Sequence, residues 1–165
     1  MKIFILRHGM TAASDTDAAR VLSDRGVKEV EDVVKLRRDD LRNVSRIYSS
    51  PLLRVRQTLG IAAKILGFPD DVVESKNLKT GSRLNEIIAF VNELDFDDGD
   101  ILVSSHQSCT SILVLWLTGV DVLIPNGSLL AIEIDKPEQG TGKILWQESR
   151  DGSEVKRATS FVDQF

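Results

Sequence analysis

Apolar and polar positions along this chain follow two different periods. Short runs predict strands over residues 2–6, 46–49, 72–74 and 101–105. The mostly apolar run at 2–6 suits a strand buried on both faces of a sheet, and the strand at 101–105 is also expected to be buried. Longer stretches repeat their apolar residues at helical spacing and predict helices over residues 24–38, 51–66, 82–94 and 109–117. Two late strands, around a glycine-rich hairpin, are predicted over residues 129–134 and 143–148.

Local signals predict where these elements begin and end. Ser23 and Ser82 are placed to cap the first and third helices, and Pro51 suits the first turn of the second, which ends at Gly67. Residues 97–100 predict a turn before the strand at 101–105. In the third helix the residues expected to face the core are Leu84, Ile87, Ile88 and Val91.

Strands that alternate with helices predict an α/β fold with a mostly parallel sheet covered on both faces, that is, a three-layer α/β/α sandwich. The last two strands are expected to add an antiparallel edge. No internal repeat, low-complexity segment or linker divides the chain. We therefore expect a single domain over residues 1–165, which is long enough for one sizeable core.

Composition excludes several classes of function. A net charge of -4 argues against a nucleic-acid binder, which needs a concentrated basic surface. A single cysteine, Cys109, allows no internal disulfide and no multi-cysteine zinc site, and its apolar helix predicts an inert core thiol. No run approaches the ~20 apolar residues that span a bilayer, so no membrane partner is expected and a cytoplasmic location is the default.

The chain contains only two histidines, and both fall at the predicted carboxyl ends of strands. Arg7 and His8 follow the first strand, Arg54 lies one helical turn beyond the second, and His106 follows the strand at 101–105. Ligands of such sheets bind beyond the carboxyl ends of the strands, so these side chains are expected to converge.

Two histidines with two arginines suggest a pocket that handles phosphoryl groups. An arginine guanidinium matches phosphate oxygens with a planar fork of donors, and a neutral imidazole can attack phosphorus to give a phosphohistidine. The same arginines oppose a bound cation, so no metal and no other cofactor is expected. Serines also stand at the strand ends, but no Ser-His-acid arrangement accompanies them.

Three blocks in order carry a family resemblance: Arg7-His8-Gly9, the segment Ser50 to Thr58, and Ser105-His106. Together they resemble the histidine phosphatase (phosphoglycerate mutase-like) superfamily. The short length and the run over residues 20–26 are similar to its SixA-type phosphohistidine phosphatase branch. The resemblance implies the phosphoglycerate mutase-like fold and a covalent phosphohistidine intermediate.

The resemblance also implies roles for individual residues. His8 would be the nucleophile, Arg7 and Arg54 would hold the phosphate, and His106 would contact the phosphoryl group and stabilise its developing charge. Arg20 would be a further phosphate-binding arginine, and the hydroxyl of Thr11 would donate to phosphate. Asp17 is the first candidate for a proton donor and Glu86 is the second.

One departure from the larger superfamily members points to the substrate. Only about fifty residues separate Arg54 from His106, which leaves no room for a cap insertion or for the glutamate acid it carries. A sugar alkoxide needs a proton to leave, whereas imidazole, with a pKa near ~6.5, leaves more easily. We therefore expect a phosphorylated protein as substrate, a histidine phosphotransfer domain or a phosphocarrier, and a pocket that binds phosphate or sulfate. The alternatives are a small-molecule phosphomonoester phosphatase and a non-catalytic module that binds phosphoproteins.

Overall fold

The fold is described from a computed structural model, which describes residues 1–95 and 99–150. Six strands and four α-helices alternate over most of the chain. In chain order they are β1 Lys2–Arg7, α1 Asp24–Leu36, β2 Val44–Ser49, α2 Leu53–Leu66, β3 Val73–Glu74, α3 Leu84–Val91, β4 Asp100–Ser105, α4 Gln107–Thr118, β5 Leu129–Glu133 and β6 Lys143–Glu148.

The strands form one mixed sheet in the order β3-β2-β4-β1-β5-β6. β1, β2, β3 and β4 are parallel, whereas β5 is antiparallel to both β1 and β6. The predicted mostly parallel sheet with an antiparallel edge is therefore confirmed. β1 lies inside the sheet, where Ile3 pairs with Ile101 on one side and with Ile132 on the other.

Helices cover both faces of the sheet, which confirms the three layers. Alternate residues of β1 point into two separate cores: Phe4 and Leu6 pack with α1 and α2, and Ile3 and Ile5 pack with α3 and α4. This double burial is why β1 is a continuous apolar run instead of an alternating one.

Two helices start or stop close to their predicted positions. Ser23 caps α1, since its side chain accepts a hydrogen bond from the backbone N–H of Gly26. α1 ends at Leu36, two residues before the predicted end. α2 begins at Leu53 instead of Pro51, because Leu52 is the extended N-cap residue, and it ends as predicted at Gly67 in the left-handed conformation.

The third helix differs most from its prediction. Ser82 does not cap it; α3 begins at Leu84, and Glu86 accepts a hydrogen bond from the backbone N–H of Arg83. Leu84 shares a helix face with Ile87 but lies one turn beyond the core and is 50% exposed, so its predicted inward position is wrong. Phe90 is fully buried in α3.

The remaining predictions are simpler to place. The first half of the predicted turn at 97–100 lies outside the described residues. The hairpin between β5 and β6 is present, with Gly140 at a φ of 73°. Within the described residues, none of the helices has the length and apolar character that a membrane span requires.

Candidate active site

The carboxyl ends of β1, β2 and β4 open into one cavity of about 530 Å³. Every residue predicted to bind phosphate, attack it or donate a proton lines this cavity except Glu86, whose carboxylate caps α3. The predicted residues brought together here are Arg7, His8, Thr11, Asp17, Arg20, Arg54 and His106.

Strand pairing sets the distance between the two histidines. Arg7 pairs with Ser105 across β1 and β4, and the backbone N–H of His8 donates to the carbonyl of Ser105. The residues that follow these two strand ends are therefore neighbours. The imidazole rings of His8 and His106 have centroids 5.4 Å apart and meet edge to face at 60°.

The segment after His8 is held by the close approach of two glycines. A Cβ added to Gly9 would lie 2.6 Å from the carbonyl oxygen of Gly26, and one added to Gly26 would overlap the carbonyl oxygen of Met10. No other residue type fits either position without moving the backbone. The first turn of α1 therefore packs directly against the backbone of the nucleophile segment.

The protonation of His8 suits a nucleophile. Its Nδ1 lies 2.8 Å from the carbonyl oxygen of Gly9, and a carbonyl only accepts, so Nδ1 carries the proton and Nε2 the lone pair. Burial, together with the positive charges of Arg54 and Arg7, lowers the pKa of His8 to about 4 against the opposing effect of the Gly9 hydrogen bond. The imidazole is therefore neutral at neutral pH.

His106 is held in the opposite tautomer. Its Nδ1 lies 3.2 Å from Nη2 of Arg54, which can only donate, so Nε2 carries the proton and donates to Oγ of Ser50 at 2.9 Å. Burial lowers the pKa of His106 to about 3, with Arg54 as the next cause. Both ring nitrogens thus have protein partners, and contact with a phosphoryl group requires one of these bonds to be exchanged.

The two arginines reach the cavity from different elements. Arg7 donates through Nη1 to Oε1 of Gln107 and to the carbonyl of Ile124, both at 2.8 Å. Arg54, only 3% exposed, donates to Asp17 and to Oγ1 of Thr80. The Nε atom of each arginine is buried with no hydrogen-bond partner among the described residues. Each guanidinium group therefore has one N–H that the described residues leave unsatisfied.

Asp17 connects the predicted phosphate-binding residues of the loop and of α2. Its Oδ2 lies 3.2 Å from Nη2 of Arg54, and its Oδ1 lies 3.7 Å from Nη1 of Arg20. Arg20 in turn donates through Nη2 to Oγ1 of Thr11 at 2.6 Å. The loop after β1 thus closes one side of the cavity with a chain of ion pairs and hydrogen bonds.

Four further residues of the site were not assigned roles from the sequence. Ser50, one of the serines at the strand ends, bonds to His106, and Gln107 bonds to Arg7. Their adjacency to strand ends was an available signal. Thr80 and Asn126 come from loops with no motif; Thr80 accepts from Arg54, and the Asn126 amide donates to the carbonyl of His8.

Two other sequence expectations concern residues outside the chemistry. Cys109 is buried in α4, where its Sγ lies 3.0 Å from the carbonyl oxygen of Lys79. Among residues 1–95 and 99–150, no three His, Cys, Asp or Glu side chains are grouped so that they could hold a metal ion.

Comparison with known proteins agrees with this geometry. The model of the histidine phosphatase superfamily (branch 1) matches residues 3–87. Over 153 residues the chain is 26% identical to the phosphohistidine phosphatase SixA of Escherichia coli strain K12, covering 90% of this chain and 94% of that protein.

Solved structures show the same fold. The protein histidine phosphatase SixA complexed with tungstate superposes with a TM-score of 0.81 at 25% identity, covering 90% of this chain and 97% of that one. A phosphoserine phosphatase of Entamoeba histolytica in complex with 3-phosphoglyceric acid shares the fold at 16% identity, with a TM-score of 0.67 and coverage of 91% and 98%.

A family model that spans half of the chain, and a cavity that holds both histidines of the motif blocks together with Arg7 and Arg54, define the class. The chain belongs to the histidine phosphatase superfamily and is a phosphatase of that superfamily. Its similarity to SixA in both sequence and structure supports assignment to the SixA-type branch.

Proposed function

We propose that this protein is a phosphohistidine phosphatase that acts on proteins through a covalent intermediate on His8. The observation that carries the proposal is the neutral His8, whose Nδ1 proton is held by Gly9 so that the Nε2 lone pair is available in a cavity shared with Arg7 and Arg54. We further propose that residues 1–165 form one domain without a cap insertion.

The reaction takes two steps. The Nε2 lone pair of His8 forms a bond to phosphorus while the P–N bond to the substrate histidine breaks, and the departing imidazole takes the electron pair and a proton. Water then attacks the phosphorus of the phosphoenzyme, which releases inorganic phosphate and restores His8. Arg7 and Arg54 bind the equatorial oxygens, where the charge of the transition state accumulates.

Proton transfer to the leaving group needs little help from the enzyme. The site holds one carboxylate, Asp17, which we propose as the proton donor, with Glu86 excluded by its position on α3. A phosphoimidazole ring can be protonated before the P–N bond breaks and then leaves as neutral imidazole, whose conjugate acid has a pKa near ~6.5, so no strongly acidic donor is required. Phosphate esters of alcohols would demand a stronger acid.

The relatives support the choice of substrate. SixA of Escherichia coli is named a phosphohistidine phosphatase, and a SixA structure binds tungstate, an oxyanion of the same shape and charge type as phosphate. We propose that this chain binds phosphate or sulfate through Arg7, Arg54, Arg20 and Thr11. Its substrate would be a phosphorylated histidine phosphotransfer domain or phosphocarrier protein, in cytoplasmic signal transduction.

Trapping the phosphoenzyme tests the mechanism. Rapid quenching of wild type with a ³²P-labelled phosphohistidine protein should give acid-labile label on the enzyme, and His8→Asn should give none. A wild type that never labels, with unchanged turnover in His8→Asn, would overturn the covalent mechanism. A non-catalytic binding module would bind the phosphoprotein without releasing phosphate.

The substrate class needs a separate comparison. We expect kcat/KM on the phosphohistidine protein to exceed that on every member of a panel of sugar phosphates and phosphoserine. A small phosphomonoester that is turned over faster would instead identify a small-molecule phosphatase with the same mechanism.

A further inference from the structure

Exposed apolar residues lie close in the sequence to residues that line the phosphate cavity. Of the eight large apolar residues exposed in the described part of the chain, four stand within four positions of a residue that lines the cavity. They belong to four separate segments of the chain: Val21, Leu53, Leu84 and Leu123. We call these four residues the apolar rim.

Topology places the apolar rim on one end of the molecule. Leu53 and Leu84 begin α2 and α3, the two helices that descend from the carboxyl ends of the parallel strands. Val21 adjoins the cavity residue Arg20, and Leu123 lies in the loop that leads up to β5. The four residues therefore belong to separate segments at the end of the sheet where the cavity opens.

Leu123 is the most exposed of them, at 74%, and its backbone is nevertheless held in place. Three successive carbonyls of its loop accept hydrogen bonds from three different elements. Ser111 of α4 donates to Val122, Gln147 of β6 donates to Leu123, and Arg7 of β1 donates to Ile124. An apolar side chain presented on a fixed backbone loses little conformational entropy on binding.

We propose that the apolar rim is a docking surface for a folded phosphoprotein whose phosphohistidine lies in an apolar patch. The cationic cavity at the centre requires a phosphoryl group on the partner, and the rim residues lie outside the cavity lining, so only a partner that extends beyond the phosphoryl group can contact them. Protein interfaces bury about 800 Å² on each partner around such apolar anchors. The proposal rests on the proposed function and adds the surface that selects the substrate.

The test compares rim variants with matched variants elsewhere. Leu123→Ser and Leu84→Ser remove rim side chains, whereas Leu115→Ser, 45% exposed on α4, and Leu145→Ser, 37% exposed on β6, remove similar side chains away from the cavity. Each variant is assayed on two substrates. The first is phosphoimidazole. The second is a phosphorylated histidine phosphotransfer domain or a phosphocarrier protein, whichever of the two the wild type hydrolyses faster.

The quantity to follow is kcat/KM on the phosphoprotein divided by kcat/KM on phosphoimidazole. We expect this ratio to fall about tenfold in each rim variant, through KM, and to stay within about twofold of wild type in the controls. Rim variants that behave like the controls would overturn the docking surface while leaving the proposed function intact. A wild type that hydrolyses neither phosphoprotein would overturn both.

Discussion

Oδ2 of Asp17 lies 3.2 Å from Nη2 of Arg54, so a half-exposed carboxylate is bonded to the guanidinium proposed to bind the phosphoryl group. The backbone carbonyl of Asp17 also accepts from Nη1 of the same arginine. A phosphate oxygen that accepts hydrogen bonds from these Arg54 donors must displace Asp17. The negative charge of Asp17 also repels the phosphate anion. Asp17 therefore competes with phosphate for Arg54.

We expect Asp17→Asn to bind inorganic phosphate more tightly, because it keeps an oxygen acceptor and loses the charge. Since Asp17 is more than half exposed, the gain is limited to about two- to five-fold in the inhibition constant for phosphate. Competitive inhibition against a small phosphomonoester measures it. Asp15→Asn, which removes the same charge from the same loop, is the control, and weaker phosphate binding in Asp17→Asn would contradict competition.

Both histidines are expected to stay neutral at pH values well below the usual pKa of histidine. Burial lowers the pKa of His8 to about 4 and that of His106 to about 3. Because the chain contains only two histidines, ¹H–¹⁵N NMR of the imidazoles resolves each titration without interference. We expect both midpoints below pH 5 in the folded protein and near ~6.5 in urea. A titration midpoint near 6.5 for His8 in the folded protein would show that the site does not keep this histidine neutral.

The lowered pKa of His8 in the folded protein makes the free energy of unfolding depend on pH. Between about 4 and 6.5 the unfolded chain binds a proton at His8 that the folded protein does not. The contribution of His8 to stability is thus complete above pH 6.5 and is lost as the pH falls toward 4, by at most ~1.4 kcal/mol per pH unit. Urea unfolding of His8→Asn should show a shallower slope in this window, and parallel slopes would contradict the depressed pKa.

Gly26→Ala is expected to destabilise the protein by about 1–3 kcal/mol or more, because its Cβ would overlap the carbonyl oxygen of Met10. Gly60→Ala is the matched control, since Gly60 lies in α2 and a Cβ there meets nothing within 4 Å. The control should gain about 0.5–1 kcal/mol from helix propensity. Chemical unfolding measures both, and equal effects of the two substitutions would contradict the close backbone packing.

Ser50→Ala is expected to lower kcat/KM about tenfold by removing the acceptor for Nε2–H of His106. An unpaired buried N–H costs about 1–3 kcal/mol, so the ring is expected to turn away from Arg54. Ser104→Ala is the control, because the Oγ of Ser104 is buried without a hydrogen-bond partner in the described structure. Ser50→Thr should restore activity together with the Nε2–H NMR signal, and restoration without that signal would contradict a positioning role.

The strand ends were predictable because burial on both faces of β1 and β4 leaves a strong apolar signal that stops at Arg7 and Ser105. The places of Thr80 and Asn126 in the site were not predictable from the sequence, because tertiary contacts set the paths of their loops. The carbonyl of Lys79 is bonded by Cys109, and the N–H of Gly127 donates to the carbonyl of His8. Leu84 was misassigned for a related reason. Periodicity predicts which face of a helix is apolar, but it does not predict how far the core beneath that face extends.

The interior place of β1 also governs when the site can form. Ile3 pairs with Ile101 and Ile132, so the strand that carries the nucleophile lacks both neighbours until about a hundred further residues have been synthesised. Such non-local pairing slows folding and leaves an apolar segment of the nascent chain in need of protection on the ribosome. His8 meets His106 only after the residues between them in the sequence have been synthesised.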